Sequence, residues 1–318
     1  MMRSRHVPSL LRSCSRCGVP FGALLLLALA GGASPLRAQS DSSFALVRNA
    51  VVDITVRTGR LVVRGGASAT GAVRGRSGEY QLRTTGVGVT LEASDDSRSS
   101  RSSRSTASRR TDATLELDLP RSVRLVVSTA SADVDVSGID GDVEIRTTSG
   151  DIGLDDIGGR LTLETLSGDI RLDGRSGSAR VTTMSGDITL RGVRADVNVH
   201  TTSGDVVLGM DRAARVDVES ISGDITFDGN TIDDARLQLT THSGDVTLRL
   251  PESARGSIDL STFNGNMSAT GSLTLMPNSL ASSRRERPAR RYEIGGGGST
   301  RFTISTFNGD VRVVRGNR

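Results

Sequence analysis

Six carboxylates recur at equivalent points of a repeated Ser-Gly-Asp phrase, and they are the groups best placed to do chemistry in this chain. If successive copies stack as turns of a coiled sheet, neighbouring carboxyl groups lie about 5 Å apart, close to the separation in retaining glycosidases. Carboxylate oxygens are also ligands for hard cations such as Ca²⁺. The glycines and aspartates of the six copies are Gly150, Asp151, Gly168, Asp169, Gly186, Asp187, Gly204, Asp205, Gly223, Asp224, Gly244 and Asp245.

A structural role in the turn is the interpretation we favour for these aspartates. An Asp side chain commonly bonds the backbone of its own turn, and salt screens the repulsion between exposed neighbours. The calcium-binding nonapeptide repeat also has a period of nine, but this chain lacks its paired glycines. We therefore expect a structural turn ladder, with no catalytic residue, no metal site and no cofactor.

The other reactive side chains are isolated. His200 and His242 lie four and two residues before the glycine of their phrases, so we expect them not to share a site. The serines of the phrase have no recurring histidine partner that would activate them. The chain has no phosphate-binding loop, dinucleotide fingerprint or HExxH motif. Its two cysteines, Cys14 and Cys17, lie in a segment that we expect to be removed.

That segment, residues 1–38, has the pattern of a secretory signal peptide. Arginines precede a short apolar run at 21–30, and residues 36–38 offer a cleavage site. An uncleaved N-terminal anchor is the alternative. The remaining chain carries 35 basic and 36 acidic residues, a balance that does not favour nucleic acid. We expect an exported protein, periplasmic, on the cell surface or secreted, with no transmembrane span after signal removal.

The spacing of the phrase predicts the fold. Small residues recur every nine positions from Ala132 to Gly204, and an apolar residue follows each of them two positions later. Apolar residues alternate within a unit, which is typical of strands. Such repeats bury their apolar side only against neighbouring repeats. The sequence therefore predicts an all-β fold, a single elongated parallel β-solenoid (β-helix) with two sheets per 18-residue coil and right-handed winding.

The solenoid domain is expected to span 39–318, with low-complexity insertions at 94–112 and 277–300. In the later coils the added length always falls in the half-coil after the phrase, so the insertions share one edge. We expect partners to dock on that edge or on a sheet face, although the edge could simply tolerate length. A column of inward hydroxyls is expected to hydrogen-bond along its length: Thr147, Thr165, Thr183, Thr201, Ser220, Thr241, Thr262 and Thr306.

The phrase Ser-Gly-Asp-[Ile/Val]-x-[Leu/Phe], preceded by Thr-Thr or Thr-Leu, resembles the bacterial "putative adhesin" β-strand-repeat family, a domain of unknown function. It is also similar to the auto-transporter adhesin head domain. The resemblance covers 44–318 and implies an exported β-solenoid without established catalytic residues.

We therefore expect a non-enzymatic structural or binding protein of the bacterial cell envelope, with a protein or polysaccharide as its unidentified partner. The alternative is a polysaccharide-active enzyme that uses paired aspartates. The absence of Trp and the two Tyr of the chain argue against that alternative, since aromatic rings are the usual platform for sugars.

Overall fold

The computed structural model describes residues 39–47, 49–76, 80–85, 88–93, 114–271, 273–275 and 289–316. The predicted signal peptide (1–38) and the insertion at 94–112 lie outside these residues. No helix in the described part of the chain is long and apolar enough to cross a membrane.

The described residues form 23 strands and no helix, which confirms the all-β class. In chain order the strands are β1 Gln39–Ala45, β2 Val51–Gly66, β3 Thr70–Arg76, β4 Tyr80–Thr85, β5 Gly88–Ala93, β6 Thr114–Pro120, β7 Arg124–Ser137, β8 Val143–Thr147, β9 Ile152–Asp155, β10 Arg160–Thr165, β11 Ile170–Asp173, β12 Ser178–Thr183, β13 Ile188–Val193, β14 Asp196–Ser203, β15 Val206–Ser222, β16 Ile225–Ser243, β17 Val246–Leu250, β18 Gly256–Asn264, β19 Met267–Thr270, β20 Leu273–Leu275, β21 Ala289–Ile294, β22 Arg301–Asn308 and β23 Val311–Arg315.

Parallel pairing in register stacks the middle of the chain into coils. Leu161 of β10 pairs with Val143 of β8 and Ala179 of β12, each 18 residues away. Half a coil further along the chain, Ile170 of β11 pairs in the same way with β9 and β13. Each coil therefore contributes one strand to a first ladder, sheet 1, and one to a second, sheet 2. The pairing is that of the expected two-sheet stack, and the sense of winding stays a prediction.

Strand alternation places a narrow aliphatic core between the two sheets. In β10 the buried residues are Leu161, Leu163 and Thr165, while the residues between them are more exposed. The core consists almost entirely of Val, Ile and Leu, and its largest fully buried side chains are Phe227 and Phe302. Each such aliphatic side chain contributes about 1.5–3 kcal/mol when it leaves water. Stacking equivalent positions thus converts an alternating sequence into a continuous core.

At the N-terminal end the coils do not stack in chain order. The two halves of β2 pair with β7 on one side, and with β5 and β6 on the other. The coil formed by β2 therefore lies between a coil made of β5 and β6 and the coil of β7. Antiparallel strands cover the outer coil, since β4 pairs with β5 and β3 pairs with β6.

The C-terminal end shows the same departure from chain order. β22 lies between β16 and β18 in sheet 1, and β23 lies between β17 and β19 in sheet 2. The last coil of the chain is therefore inserted beneath the coil that precedes it in sequence. Because inserted strands are paired on both sides, neither β2 nor β22 is left as an open edge of the kind that invites unwanted strand pairing.

Part of the second predicted insertion, 277–300, is regular structure. Its Ala289–Ile294 segment is β21, which pairs antiparallel with both β18 and β20. Ile294 is fully buried, and the Arg291 guanidinium pairs with Asp259 of β18 at 2.6 Å. The arginine-rich composition suggested a loop, but this segment forms a strand that covers the outer edge of sheet 1.

Candidate functional site

The edge where sheet 1 turns into sheet 2 is the most regular surface of the molecule, and we call it the turn edge. It contains every Ser-Gly-Asp phrase. Gly186 has a φ of +117°, a backbone conformation that favours glycine. A Cβ on Gly186 would also lie 2.2 Å from the carbonyl oxygen of Gly168 in the coil below. Two independent requirements therefore exclude a side chain at this position.

The aspartates of the phrase form a ladder that links successive coils from Asp133 of β7 to Asn266. The amide N–H of Asp187 donates to Oδ1 of Asp169 at 2.9 Å, and that of Asp205 donates to Oδ1 of Asp187 at 2.9 Å. The ladder passes in spatial order through Asp133, Asp151, Asp169, Asp187, Asp205, Asp224, Asp245, Asp310 and Asn266. We expected each aspartate to bond its own turn, whereas the carboxylates accept the backbone N–H of the neighbouring coil.

The hydroxyl column is buried as expected, but most of its hydrogen bonds run within a coil. Oγ1 of Thr201 donates to the carbonyl of Ser203 at 3.0 Å, and Thr165 and Thr183 make the same bond in their own turns. A bond along the column joins Thr129 to Thr147 at 2.7 Å. Ser220, which replaces threonine in one coil, is buried and its Oγ has no hydrogen-bond partner.

An exposed apolar column accompanies the Asp ladder along the turn edge, and we call it the turn-edge stripe. Its members occupy the position just before the phrase. Backbone bonds set them one above another: Ser185 N–H donates to the Leu166 carbonyl at 3.0 Å, and Ser203 N–H to the Met184 carbonyl at 3.1 Å. In spatial order the stripe comprises Leu166, Met184, Thr202, Ile221, His242, Phe307 and Phe263.

The exposure of the stripe distinguishes it from ordinary surface. Six large apolar residues are highly exposed in the described part of the chain, and four of them belong to the stripe: Leu166, Met184, Ile221 and Phe263, each between 50% and 59% exposed. Scattered exposed apolar residues need no explanation, whereas a contiguous set marks an interaction surface. We did not predict this column from the sequence. Its signal in the sequence is a large apolar residue at the outward position before several of the phrases, as at Leu166, Met184 and Ile221.

The stripe ends in a stack of three rings. The His242 and Phe307 rings are 4.9 Å apart with an interplanar angle of 9°, and the Phe307 and Phe263 rings are 4.8 Å apart at 6°. The stack depends on the C-terminal strand insertion, because chain order alone would place Phe263 next to His242. Offset or parallel ring pairs of this kind add about 0.5–1.5 kcal/mol to the area that they bury.

A shallow groove of about 380 Å³ lies beside the stripe on the outer face of sheet 1. Its lining includes His200, Glu219, Ile221, His242 and Phe307, and Nδ1 of His200 is 3.2 Å from the Glu219 carboxylate. We expected the two histidines not to share a site, and the structure places both in the lining of this one groove. They are two positions apart in register, and positions two apart on a strand point to the same face.

The turn edge carries a line of acidic side chains, and at its N-terminal end Asp133 interacts with the charge of Arg60. None of the ion pairs there involves an aspartate of the ladder. No group of three or more His, Asp or Glu residues in the described ranges is arranged to hold a metal ion. The ladder is thus a line of carboxylates that stand one per coil along the edge.

The opposite edge, which carries the insertions, is built differently. Arg121 there donates to both Asp140 and Asp156 at 3.0 Å. The hydrogen bond from Arg121 is the main reason that the pKa of Asp156 lies below its usual value, and Arg175 lowers that pKa further. A second hollow, about 280 Å³, opens between Ile232, Arg255 and Thr300. This edge was our expected docking side, yet the exposed apolar stripe lies on the other one.

The repeated phrase and its stacking agree with a known family. The model of the Toastrack DUF4097 family matches residues 47–314. This chain belongs to that family. Toastrack DUF4097 is a family of unknown function, so membership confirms the expected class of protein and leaves its activity to be argued from the structure. No curated protein matches this chain.

Several solved structures are similar to this Toastrack chain at low sequence identity. A "putative adhesin" from Bacteroides fragilis is 13% identical with a TM-score of 0.44, over 88% of this chain and 98% of that one. One from Parabacteroides merdae is 11% identical with a TM-score of 0.44, over 67% and 89%. A "putative lipid binding protein" from Parabacteroides distasonis is 12% identical with a TM-score of 0.39, also over 67% and 89%.

Proposed function

We propose that this Toastrack protein is a non-enzymatic, adhesin-like binding protein of the bacterial cell envelope, and that its partner docks on the turn edge. The exposed turn-edge stripe is the observation that carries the proposal. Large apolar side chains exposed along one edge, here Leu166, Met184, Ile221 and Phe263, are costly to leave in water, and burying them against a partner recovers that free energy. The rigid ladders beneath the stripe fix the spacing of these side chains before any partner arrives, which lowers the entropic cost of binding.

The environment of the aspartates argues against the enzymatic alternative. A glycosidase needs two carboxyl groups in different environments, one protonated and one ionised. Along the ladder, Asp169, Asp187 and Asp205 each accept the same backbone N–H from the next coil at about the same distance. A repeat of identical environments provides no division between acid and base. The ladder is therefore assigned to stacking and to surface charge.

Export to the periplasm, the cell surface or the medium is part of the proposal and rests on the composition of residues 1–38. Right-handed winding and the similarity to auto-transporter adhesin head domains likewise remain predictions from the repeat. Cell fractionation followed by immunodetection tests the location. Recovery of the protein in the cytoplasm would contradict it.

The binding role is tested by changing the stripe and leaving the fold intact. Met184→Thr combined with Ile221→Thr installs the residue that Thr202 already presents at the same position of another coil. Val51→Thr is the matched control, because Val51 is 40% exposed and lies at the opposite end of its sheet 1 strand. Circular dichroism verifies that all three proteins are folded.

The assay measures adherence of each purified protein to surfaces coated with a basic protein, a neutral polysaccharide or an acidic polysaccharide. We expect wild type and the Val51→Thr control to adhere equally to at least one surface, and the double variant to lose about tenfold in affinity there. Adherence that is the same for all three proteins on every surface would refute the proposed role of the stripe.

A further inference from the structure

We infer that the partner seated on the turn edge is a basic amphipathic α-helix of a protein, with its apolar face on the stripe and its cationic flank along the Asp ladder. The inference rests on the proposed function and names the chemistry of the partner. It combines two features of the same edge, an apolar column and a line of carboxylates, which run in parallel from coil to coil.

The spacing of the stripe selects a helix over an extended chain. Stripe side chains recur at the inter-coil distance, about 4.8 Å, and the stacked rings measure 4.8 and 4.9 Å. A helix presents apolar side chains along one face at a pitch of about 5.4 Å. An extended strand presents every second side chain at about 6.8 Å. The helix accumulates a mismatch of about 0.6 Å per coil, whereas the strand accumulates about 2 Å per coil.

The length of the stripe sets the length of the helix. From Leu166 to Phe263 the stripe crosses six inter-coil steps, which is roughly 29 Å at the spacing of a sheet. A helix that covers this distance needs about 19 residues, or five turns, at 1.5 Å per residue. The helix–groove mode of recognition uses anchors at i, i+3, i+4 and i+7, which form one apolar row of this kind.

The acidic charge of the turn edge favours a partner of positive charge. In each coil the ladder aspartate follows the stripe residue by three positions, as Asp169 follows Leu166. One oxygen of each of Asp169, Asp187 and Asp205 accepts a backbone N–H, and none of the ion pairs among the described residues involves these three aspartates. Carboxylates at this spacing repel one another by about 1 kcal/mol per pair even in water. A row of Arg or Lys side chains would relieve that repulsion, whereas nucleic acid, acidic glycans and anionic lipid headgroups would add to it.

Three synthetic peptides of 20 residues test the inference against the purified protein. The first is helical, with leucines on one face and arginines on a flank. The second replaces the arginines by glutamates, and the third keeps the first composition in scrambled order. Fluorescence anisotropy of labelled peptide gives the affinity. We expect the first peptide to bind at least tenfold more tightly than either of the others, and its affinity to fall as salt is raised from about 0.05 M to 0.5 M.

Two variants connect the binding to the residues named. Met184→Thr with Ile221→Thr should weaken the arginine peptide about tenfold at any salt concentration. Asp187→Asn with Asp205→Asn retains the Oδ1 acceptors of the ladder. This variant should lower the affinity for the arginine peptide severalfold at low salt and change it little at high salt. Val51→Thr should bind as wild type does.

Equal binding of the arginine and glutamate peptides, or of the scrambled peptide, would overturn the inference. So would stripe-dependent binding to phosphatidylglycerol vesicles or to a polysaccharide when the arginine peptide does not bind, although the proposed binding function would then stand. Loss of stripe dependence on every coated surface would instead overturn the proposed function itself. The two failures are therefore distinguishable.

Discussion

Replacing Gly186 by alanine should destabilise the stack far more than an ordinary surface substitution. The glycine has a φ of +117°, and a side chain in such a conformation costs about 1–3 kcal/mol. The new Cβ would also lie 2.2 Å from the Gly168 carbonyl oxygen, so the two coils must separate locally.

Separation of the coils weakens the hydrogen bonds that flank the glycine. These are the bond from Asp187 N–H to Asp169 Oδ1 at 2.9 Å and the bond from Ser185 N–H to the Leu166 carbonyl at 3.0 Å. Each contributes about 0.5–1.5 kcal/mol net. Together with the backbone strain, the expected loss is about 2–6 kcal/mol of unfolding free energy, or a fall in Tm of at least about 4 °C.

Gly209→Ala is the matched control for this experiment. Gly209 lies within β15 and does not have a positive φ, and a Cβ there would meet Arg191 Cγ at an ordinary 3.4 Å. Its stability should stay within about 0.5 kcal/mol of wild type or rise, because alanine suits a strand interior better than glycine does. Thermal and urea unfolding measure both variants. If Gly186→Ala were as stable as the control, the argument from close stacking would be wrong.

Three further predictions concern other parts of the stack. Arg121→Gln should lower Tm at pH 7 but not near pH 2, since the depressed pKa of Asp156 stabilises the fold above its unfolded pKa and this contribution is lost as pH falls; equal deficits at both pH values would contradict it. Ser220→Thr should raise the unfolding free energy by about 0.5–1.5 kcal/mol, because threonine supplies the turn bond that the buried Ser220 hydroxyl does not make; an unchanged urea midpoint would count against this. Neither the wild type nor the double variant Asp187→Asn with Asp205→Asn should hydrolyse acidic glycans, and the substitutions should change the unfolding free energy by less than about 1 kcal/mol; hydrolysis by the wild type alone would favour the enzymatic alternative.

The repeat allowed the interior of the stack to be predicted almost residue by residue. A period of nine with alternating apolar positions allows only one set of alternate residues to face the core, because a shift by one residue would move Leu161 and Leu163 into water. The same argument placed the threonine column inside. Periodicity is informative here because every coil repeats the same burial pattern.

The order of the end coils could not be read from the repeat. Ser243, Asn264 and Asn308 occupy equivalent positions, and equivalent positions can stack in any order with the same local contacts. The positions of β2 and β22 within the stack depend on the long connections between the end coils. The sequence of those connections has no period, so the repeat does not predict the stacking order there. For the same reason β21 was not recognised within the predicted loop.

The candidate site could not be predicted from reactive side chains, because most of the residues that form it carry none. The aspartates stood out in the sequence by their carboxyl groups, but the outward apolar residues Leu166, Met184 and Ile221 have no reactive group. These residues form a contiguous surface only together with their neighbours in the coils above and below. Those neighbours are known only from the register in which the coils stack. The groove shared by His200 and His242 was missed on the same ground, since it joins residues of different coils.

A pair of engineered disulfides tests the stacking order on which the turn-edge stripe depends. Both cysteines of the chain lie within 1–38, so new cysteines in the described region meet no native thiol there. Ser243 is paired with Asn308, and Asn308 with Asn264, and disulfides form between α-carbons about 4.4–6.8 Å apart. The account predicts that Ser243→Cys with Asn308→Cys cross-links on oxidation, whereas Ser243→Cys with Asn264→Cys stays reduced, as read by mass spectrometry. The reverse result would show coils stacked in chain order and would contradict the continuous stripe.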